Sequence, residues 1–324
     1  MDIKKILGSS IIGPLIAFIM ITIIISLTTD RFLQTENLRN ISLQVSIVSL
    51  MAIGSTMVII SGGIDLSPGS AVTFLTMVLA SLIKFLKFPA PLAIILVIIL
   101  GGILGLYNGV LCVYLRIPAF ITTLASLGIF RGMAFMINKG SPIFQVSKVV
   151  QSLFYGTFLG LPLVFFYITI FYVAASIMMK YTELGREIYA VGGNAAAARF
   201  SGINVKRVTM IAFGLAGMMA GVSSVLMTAR LNSGSPNYGV GMELSAIAAA
   251  VIGGASLAGG HGNILSTLIG ALTIVIVQNA LNLHAVPTSV QNIVVGVIIM
   301  LAVFIDMWRV EIGGLVSRIV PTKG

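Results

Sequence analysis

Long runs of apolar residues, separated by short polar or glycine-rich segments, are the feature of this sequence that most constrains its fold. A helix that crosses a lipid bilayer needs about 20 mostly apolar residues, and several runs reach that length. Because an unpaired backbone amide is costly in lipid, spanning segments are helices or closed barrels. The runs lack the short-range alternation of barrel strands. We therefore predict an all-α integral membrane protein.

Few charged residues are present to face water. Of the 324 residues, 58% are hydrophobic and 9% are charged, whereas about 25% are charged in a typical soluble domain. So few charges do not cover the surface of a soluble chain. The composition excludes an ordinary soluble enzyme, a nucleic-acid-binding domain and a disordered regulator, and it predicts membrane lipid as the surrounding medium.

Apolar runs between charged residues, glycines and prolines predict ten transmembrane helices in one domain, residues 1–324. The predicted helices are 10–28, 42–61, 70–86, 91–115, 119–137, 161–180, 208–229, 243–258, 264–283 and 288–306. The third and the eighth are short enough to be half-helices or tilted segments. The first run lacks a small-residue cleavage site, so we expect it to be retained as a helix rather than removed as a signal peptide.

The distribution of lysine and arginine predicts the orientation of these helices. With the N terminus inside, eleven basic residues lie on the cytoplasmic side and seven on the other side. Five of the eleven fall within residues 180–207. Because basic residues are enriched in cytoplasmic loops, we expect both termini and this segment to be cytoplasmic. The net charge of +10 then reflects topology rather than a nucleic-acid ligand.

Two glycine-rich segments interrupt the apolar runs. Residues 61–66 are Ser-Gly-Gly-Ile-Asp-Leu, and residues 258–263 are Ala-Gly-Gly-His-Gly-Asn. Transporters often repeat a helix break in their two halves, with the substrate site near the breaks. The alternative is that both segments are tight turns between helices.

The sequence lacks the common motifs of an enzyme. It has no Gly-x-x-x-x-Gly-Lys-[Ser/Thr] phosphate loop, no Gly-x-Ser-x-Gly elbow and no His-Glu-x-x-His pair. The single Cys112 and the isolated His261 and His284 do not predict a metal site. We therefore expect a chain without catalytic residues, metal ion or cofactor, which does not hydrolyse ATP itself.

Asp65 has two competing interpretations. It follows two glycines and precedes Ser67-Pro68, which predicts that it caps the helix that begins near residue 68. The alternative is contact with a transported substrate, because ionisable groups inside a membrane are costly and often functional.

Uncharged polar residues inside the predicted helices offer hydrogen-bonding groups without fixed charge. They are Asn108, Thr122, Thr123, Ser126, Gln278, Asn279 and Asn282. Such side chains suit a path for a polyol or a sugar. The candidates for this path are Asp65, Asn108, Thr122, Thr123, Asn279 and Asn282. Hydrogen bonds between helices are the alternative for each of them, and the glycines at 101, 102, 105 and 109 predict close helix packing.

Residues 181–207 form the most informative polar segment. Gly192-Gly193 interrupts it, Asn194 suits the N-cap of a helix over Ala195–Ser201, and Gly202 suits the left-handed residue that ends a helix. The pattern predicts a short basic helix on the cytoplasmic face. Such a helix either docks a partner or simply connects two spans.

Segments in the same order along most of the chain resemble one known family. Residues 185–194 (Gly-Arg-Glu-Ile-Tyr-Ala-Val-Gly-Gly-Asn) and 198–205 (Ala-Arg-Phe-Ser-Gly-Ile-Asn-Val) resemble the cytoplasmic coupling loop of permease subunits of bacterial sugar ATP-binding-cassette importers. Those importers are of the ribose, galactose and xylose type. Further similar segments are residues 62–67, 108–109, 117–124, 130–132, 228–231, 243–249, 253–254 and 259–260.

This resemblance implies a permease of the bacterial cytoplasmic (inner) membrane that works as a dimer, with a second copy or a second permease chain. Two ATP-binding-cassette ATPase subunits would lie on its cytoplasmic face, and a periplasmic or lipid-anchored substrate-binding protein would lie outside. The helix after Gly193 resembles the coupling helix that docks on the ATPase. By position, that contact is expected to involve Gly193, Asn194, Ala197, Ala198, Arg199, Ser201 and Gly202.

Two positions depart from the family pattern. Ala195-Ala196 stand where relatives often have Pro-Glu, and Val295 stands where a lysine is common. The resemblance fits ribose, xylose, galactose, a nucleoside or a signalling furanose as the solute. An ion-coupled secondary transporter with ten helices is the alternative function, and a membrane scaffold is a third.

Overall fold

The computed structural model describes the backbone of residues 11–319 and the side chains of residues 11–304. Within these residues the fold is a bundle of thirteen helices with four two-residue strands. The helices are α1 (Ile12–Thr28), α2 (Thr35–Ile60), α3 (Pro68–Lys84), α4 (Ala90–Tyr114), α5 (Ala119–Ile137), α6 (Lys148–Tyr155), α7 (Leu163–Tyr181), α8 (Glu183–Gly193), α9 (Ala195–Phe200), α10 (Val205–Leu231), α11 (Met242–Ile252), α12 (Ile264–Leu283) and α13 (Thr288–Ile319). The strands are β1 (Ile143–Phe144), β2 (Thr157–Phe158), β3 (Leu161–Pro162) and β4 (Ser233–Gly234).

Ten apolar helices follow the order of the ten predicted spans. Six of them (α2, α4, α5, α7, α10 and α12) are long and apolar enough to cross a membrane, and α1, α3, α11 and the 288–304 part of α13 are shorter. These helices confirm a multi-pass, all-α membrane protein. That all ten cross the bilayer stays a prediction, and both termini, predicted to be cytoplasmic, lie outside the described residues.

Several helix boundaries differ from those predicted from the apolar runs. The largest difference is in α13, which continues to Ile319 rather than ending at residue 306, and two others have a clear local cause. α2 begins at Thr35 rather than at residue 42, because a polar first turn that includes Glu36 is also helical. α11 ends at Ile252 rather than at residue 258, because the chain turns at Gly254, whose φ is 88°. α11 is thus one of the short helices of the bundle. A half-helix was one of the structures expected for this span.

α2 is the central helix of the bundle. Its most apolar part is 94% buried, whereas the corresponding parts of α4, α5 and α7 are 33%, 28% and 22% buried. α2 packs against α7, α10, α11 and α12. The outer helices therefore present apolar side chains to lipid, while α2 is surrounded by protein.

α4 and α10 make the most extensive helix contact of the bundle. A Cβ atom built on Gly101 would lie 2.5 Å from the carbonyl oxygen of Gly217, and one on Gly109 would lie 2.8 Å from the Cα atom of Met210. The two backbones therefore touch directly. Helices in lipid associate through such close packing at small residues, so the close packing predicted at these glycines is confirmed.

The two ends of the bundle are built differently. At one end, called the α9 end, α8 and α9 lie near the last residue of α2 and the loop after α11. At the other end, called the α6 end, α6 packs on α10 and β1 pairs antiparallel with β4. The hydroxyl of Tyr155 in α6 donates a hydrogen bond to the carbonyl of Arg230, near the end of α10.

Replacing Gly105 with alanine should destabilise the protein, because the added methyl group would overlap the carbonyl oxygen of Phe213 in α10. Overpacking of this kind costs about 1–3 kcal/mol. Thermal unfolding in detergent, followed through dye labelling of the single Cys112, measures the change. Gly132→Ala is the matched control, because a methyl group there meets no atom within 4 Å. Equal unfolding temperatures for the two variants would contradict the described packing.

Candidate transport pathway and docking helix

The short helix α9 begins with a side-chain cap. Asn194 Oδ1 accepts a hydrogen bond from the Ala197 amide at 2.9 Å, which satisfies one of the free donors at the helix start. α8 ends at Gly193, so a single residue joins the two helices. The predicted N-cap is confirmed, and the break predicted at Gly192-Gly193 falls directly after the second glycine.

α9 ends one residue earlier than predicted, at Phe200. Gly202 has a φ of 85°, which glycine adopts without steric penalty, and its amide donates to the Arg199 carbonyl. Ser201 is therefore the C-cap residue and not part of the helix. The predicted glycine stop is confirmed.

The residues in and next to α9 that are expected to contact the ATPase differ in exposure. The exposed ones are Gly193, Asn194, Ala197, Arg199, Ser201 and Gly202. Ala198 is only 4% exposed and belongs to the main apolar core, so it anchors α9 on the bundle. Phe200, which the motif comparison did not single out, is 92% exposed. The sequence feature that could have identified Phe200 is an aromatic residue next to an arginine within a polar segment.

α8 connects α9 to the bundle. Ile188 and Val191 are buried on its inner face, and the Tyr189 hydroxyl donates a hydrogen bond to the carbonyl of Gly262 at 2.9 Å. Burial raises the pKa of the Tyr189 phenol above its ordinary value, so the group is a neutral hydrogen-bond donor at physiological pH. α8 is therefore held both by apolar packing and by a polar contact to the loop after α11.

A buried hydrogen-bond network surrounds Asp65, between α2 and α3. Asp65 Oδ1 accepts hydrogen bonds from the amide and the hydroxyl of Ser67, at 2.8 and 2.7 Å. Asn108 of α4 donates to Ser67 Oγ at 2.9 Å, and Ser126 of α5 donates to Asn108 Oδ1. The prediction that Asp65 caps α3 is corrected, because Ser67 is the N-cap residue and Asp65 holds it in place.

Two threonines of α5 extend this polar region. The Thr123 hydroxyl donates to the carbonyl of Ile64 at 3.2 Å, and Thr122 is buried beside it in the chain. The cavity beside Asp65 measures about 10 Å³, which is room for about one water molecule. The region is therefore a packed junction of α3, α4 and α5, with no space for a sugar beside Asp65.

The remaining path candidates lie elsewhere, on α12. Asn279 is buried and exchanges two side-chain hydrogen bonds with Asn37 of α2, at 3.0 and 2.8 Å. Asn282 is exposed and accepts a hydrogen bond from Gln291 of α13 at 2.9 Å. The structure thus separates these two asparagines from the Asp65 network, and both connect helices.

A larger cavity of about 380 Å³ lies in the half of the bundle toward the α6 end. This volume is within the range of about 300–1,000 Å³ that is typical of small-molecule sites. Its walls come from α2, α10, α11 and the residues before it, α12 and α13. The lining residues are Gln44, Ile47, Val48, Met227, Arg230, Val240, Gly241, Met242, Leu244, Ser245, Val275, Gln278, Asn292 and Val295.

The cavity wall combines apolar side chains with amides, a hydroxyl and one cation. Gln278 Nε2 of α12 donates to Ser245 Oγ of α11 at 3.3 Å, so two walls are joined across the cavity. Arg230 is half-buried in the wall, and none of the described residues that line the cavity is acidic. This arrangement is suited to a neutral molecule with several hydroxyl groups, each of which donates and accepts hydrogen bonds.

Local sequence patterns identify little of this cavity. Of its polar residues, only Gln278 is among those noted inside the predicted helices. The other polar residues come from elements far apart in the chain. Arg230 and Ser245 fall within the family-like segments 228–231 and 243–249, but neither segment identifies them as part of one cavity. Val295, at the position where the family pattern often has lysine, also lines the cavity and makes this part of the wall neutral.

The architecture is that of a multi-pass membrane protein, and comparison with known proteins gives its class. Residues 37–303 match the family described as branched-chain amino acid transport system, permease component. The chain belongs to this family of membrane permeases. It is therefore a transport component of a membrane and not an enzyme.

Three similar proteins are named for ribose or xylose. The chain is 41% identical over 296 residues to the ribose import permease protein RbsC of Escherichia coli strain K12, which covers 90% of this chain and 92% of that protein. It is 39% identical over 297 residues to RbsC of Bacillus subtilis strain 168, with 91% and 92% covered. It is 32% identical over 364 residues to the xylose transport system permease protein XylH of Escherichia coli strain K12, with 93% of each covered. No solved structure matches the chain.

Asn108→Ala should lower the free energy of unfolding by about 1–3 kcal/mol, because it leaves the buried Ser126 hydroxyl without its acceptor and removes the donor to Ser67 Oγ. Thermal unfolding in detergent measures the loss. Asn40→Ala removes the same amide from an exposed position of α2 and should leave the unfolding temperature unchanged. An Asn108→Ala protein as stable as the Asn40→Ala protein would contradict the structural role of the network.

Proposed function

We propose that this chain is the transmembrane permease subunit of an ATP-binding-cassette importer that carries a sugar or sugar-like solute across the bacterial cytoplasmic membrane. The observation that carries the proposal is the similarity to ribose and xylose permeases, 32% to 41% identical over at least 90% of this chain. Similarity that covers nearly all of both chains favours the same role in the same kind of assembly. An ion-coupled secondary transporter has no such support.

The sugar is proposed to pass through the 380 Å³ cavity. Its amides supply the paired donors and acceptors that sugar hydroxyls need, and none of its described lining residues is acidic. None of the path candidates from the sequence is among the lining residues. Asn279 and Asn282 are proposed to hold helices that form the cavity, through their hydrogen bonds to α2 and α13. The others, Asp65, Asn108, Thr122 and Thr123, are proposed to hold the junction of α3, α4 and α5.

The proposed topology has ten spans in one domain, with both termini and the 181–207 loop in the cytoplasm. The α6 end then faces outward, and the cavity opens toward the side where a substrate-binding protein, periplasmic or lipid-anchored, delivers the sugar. Val240, Leu244 and Asn292 at the cavity rim are exposed. Because the exposed amide of Asn292 is unfavourable against lipid, a second permease chain is proposed to cover Asn292.

α9 is proposed to dock on the ATP-binding-cassette ATPase. Its caps and the buried Ala198 fix its position, while Arg199 and Phe200 project from the surface. The sequence of this chain has no phosphate loop, so ATP hydrolysis is assigned to the partner. An exposed arginine beside an exposed aromatic ring is a common composition for the centre of a protein interface.

Extraction of the tagged chain in a mild detergent should recover an ATPase subunit with a phosphate-loop motif, identified by mass spectrometry. Arg199→Glu should reduce this recovery about tenfold, because it reverses a charge at the centre of the contact. Arg186→Glu, on the exposed face of α8, is the charge-matched control and should leave recovery unchanged. Recovery of the chain without an ATPase would contradict the importer, and equal recovery with both variants would contradict docking through α9.

Gln44→Leu should reduce the maximal rate of sugar uptake about fivefold, because it removes a hydrogen-bonding amide from the cavity wall. Uptake of radiolabelled D-ribose and D-xylose by vesicles that contain the whole importer measures the change. Asn40→Leu, four residues earlier on α2, is exposed and outside the lining, so it should transport at the parent rate. If Gln44→Leu also transported at the parent rate, the proposed path through the cavity would be wrong.

A further inference from the structure

Three glycine-containing segments meet where α8 touches the rest of the bundle. The Gly260 amide donates a hydrogen bond to the carbonyl of Ile60, the last residue of α2, at 2.8 Å. A Cβ atom on Gly192 of α8 would overlap the same carbonyl oxygen and would lie 2.7 Å from the Gly260 amide nitrogen. The α8 backbone therefore lies directly on the hydrogen bond that joins α2 to the loop between α11 and α12.

Tyr189 adds a second connection from α8 to this loop. Its hydroxyl donates to the carbonyl of Gly262 at 2.9 Å, and it lies three residues before Gly192 on the same helix. The backbone of Gly259 approaches from the same loop, because a Cβ atom there would lie 2.7 Å from the Gly192 carbonyl oxygen. α8 is thus attached to the loop by a side-chain hydrogen bond and by backbone contact.

The elements attached at this point include three of the five helices that form the cavity. α2, α11 and α12 all line it, and α9 follows α8 after the single residue Asn194. A helix rises 1.5 Å per residue, so Gln44 in the cavity wall is about 24 Å along α2 from Ile60. A displacement of α8 at the α9 end is therefore transmitted to the cavity by continuous helices.

We propose that Gly192 and Tyr189 are positioning residues through which movement of the docked α9 reaches the helices that line the cavity. This inference rests on the proposed function, because it requires an ATPase that moves α9. Gly192 allows α8 to lie against the Ile60 carbonyl, and Tyr189 fastens the loop between α11 and α12 to α8. A shift of α8 then displaces α2 and this loop together.

The accessibility of the cavity in the complex with the ATPase tests this inference. In a Cys112→Ser background, Val240→Cys places one thiol on the exposed rim of the cavity. ATP with vanadate should change the labelling rate of this thiol about tenfold in the parent complex. The Gly192→Ala complex should still contain its ATPase subunit, but ATP with vanadate should no longer change the labelling rate of the thiol. The reason is that the added methyl group separates α8 from Ile60.

Two further variants make the result decisive. Gly128→Ala adds a methyl group where no atom lies within 4 Å, so it should respond like the parent complex. Tyr189→Phe adds no volume and should reduce the response about fivefold, which keeps the test valid if Gly192→Ala does not fold. If ATP with vanadate changed the labelling rate as much in every folded variant as in the parent complex, the inference would be overturned. A parent complex without an ATPase, or one that does not respond to nucleotide, would instead contradict the proposed function.

Discussion

The direct contact between the backbones of α4 and α10 is the constraint on which the rest of the structure depends. Lipid surrounds the bundle with an apolar medium, so apolar side chains gain little by packing on one another, and close approach must supply the stability. The glycines of α4 remove the side chains that would hold the two helices apart. α10 packs in turn on α2 and α3, so the central helix and the cavity are positioned from this contact.

Irregular backbone in this protein is found where other protein segments cover it. The turn after α2 and the loop after α11 each contain backbone groups that have no helical partner, and lipid does not satisfy such groups. The Gly260 amide and the Ile60 carbonyl satisfy each other, and α8 covers the pair. A helix that belongs to a polar loop therefore also protects the breaks in the apolar helices.

Local properties of the sequence predicted the helices, the caps of α9 and the packing glycines, although the cap of α3 was assigned to Asp65 and is Ser67. Asn194 and Gly202 are examples, because capping depends only on a few neighbouring residues. Burial of Ala198 and exposure of Phe200 were not predictable, since the face that a six-residue helix turns to the core depends on what it packs against. The cavity was not predictable either, because its polar residues come from five separate elements and meet only in the folded chain.

The exposed ring of Phe200 affects the chain before any partner binds. Phe200 is the last residue of α9 and is 92% exposed, so an apolar ring stays in contact with water until a partner covers it. A permease made in excess of the proposed ATPase would keep this ring exposed on every copy. Balanced synthesis of the subunits then protects solubility at the membrane surface, and co-expression becomes the natural route to a well-behaved preparation.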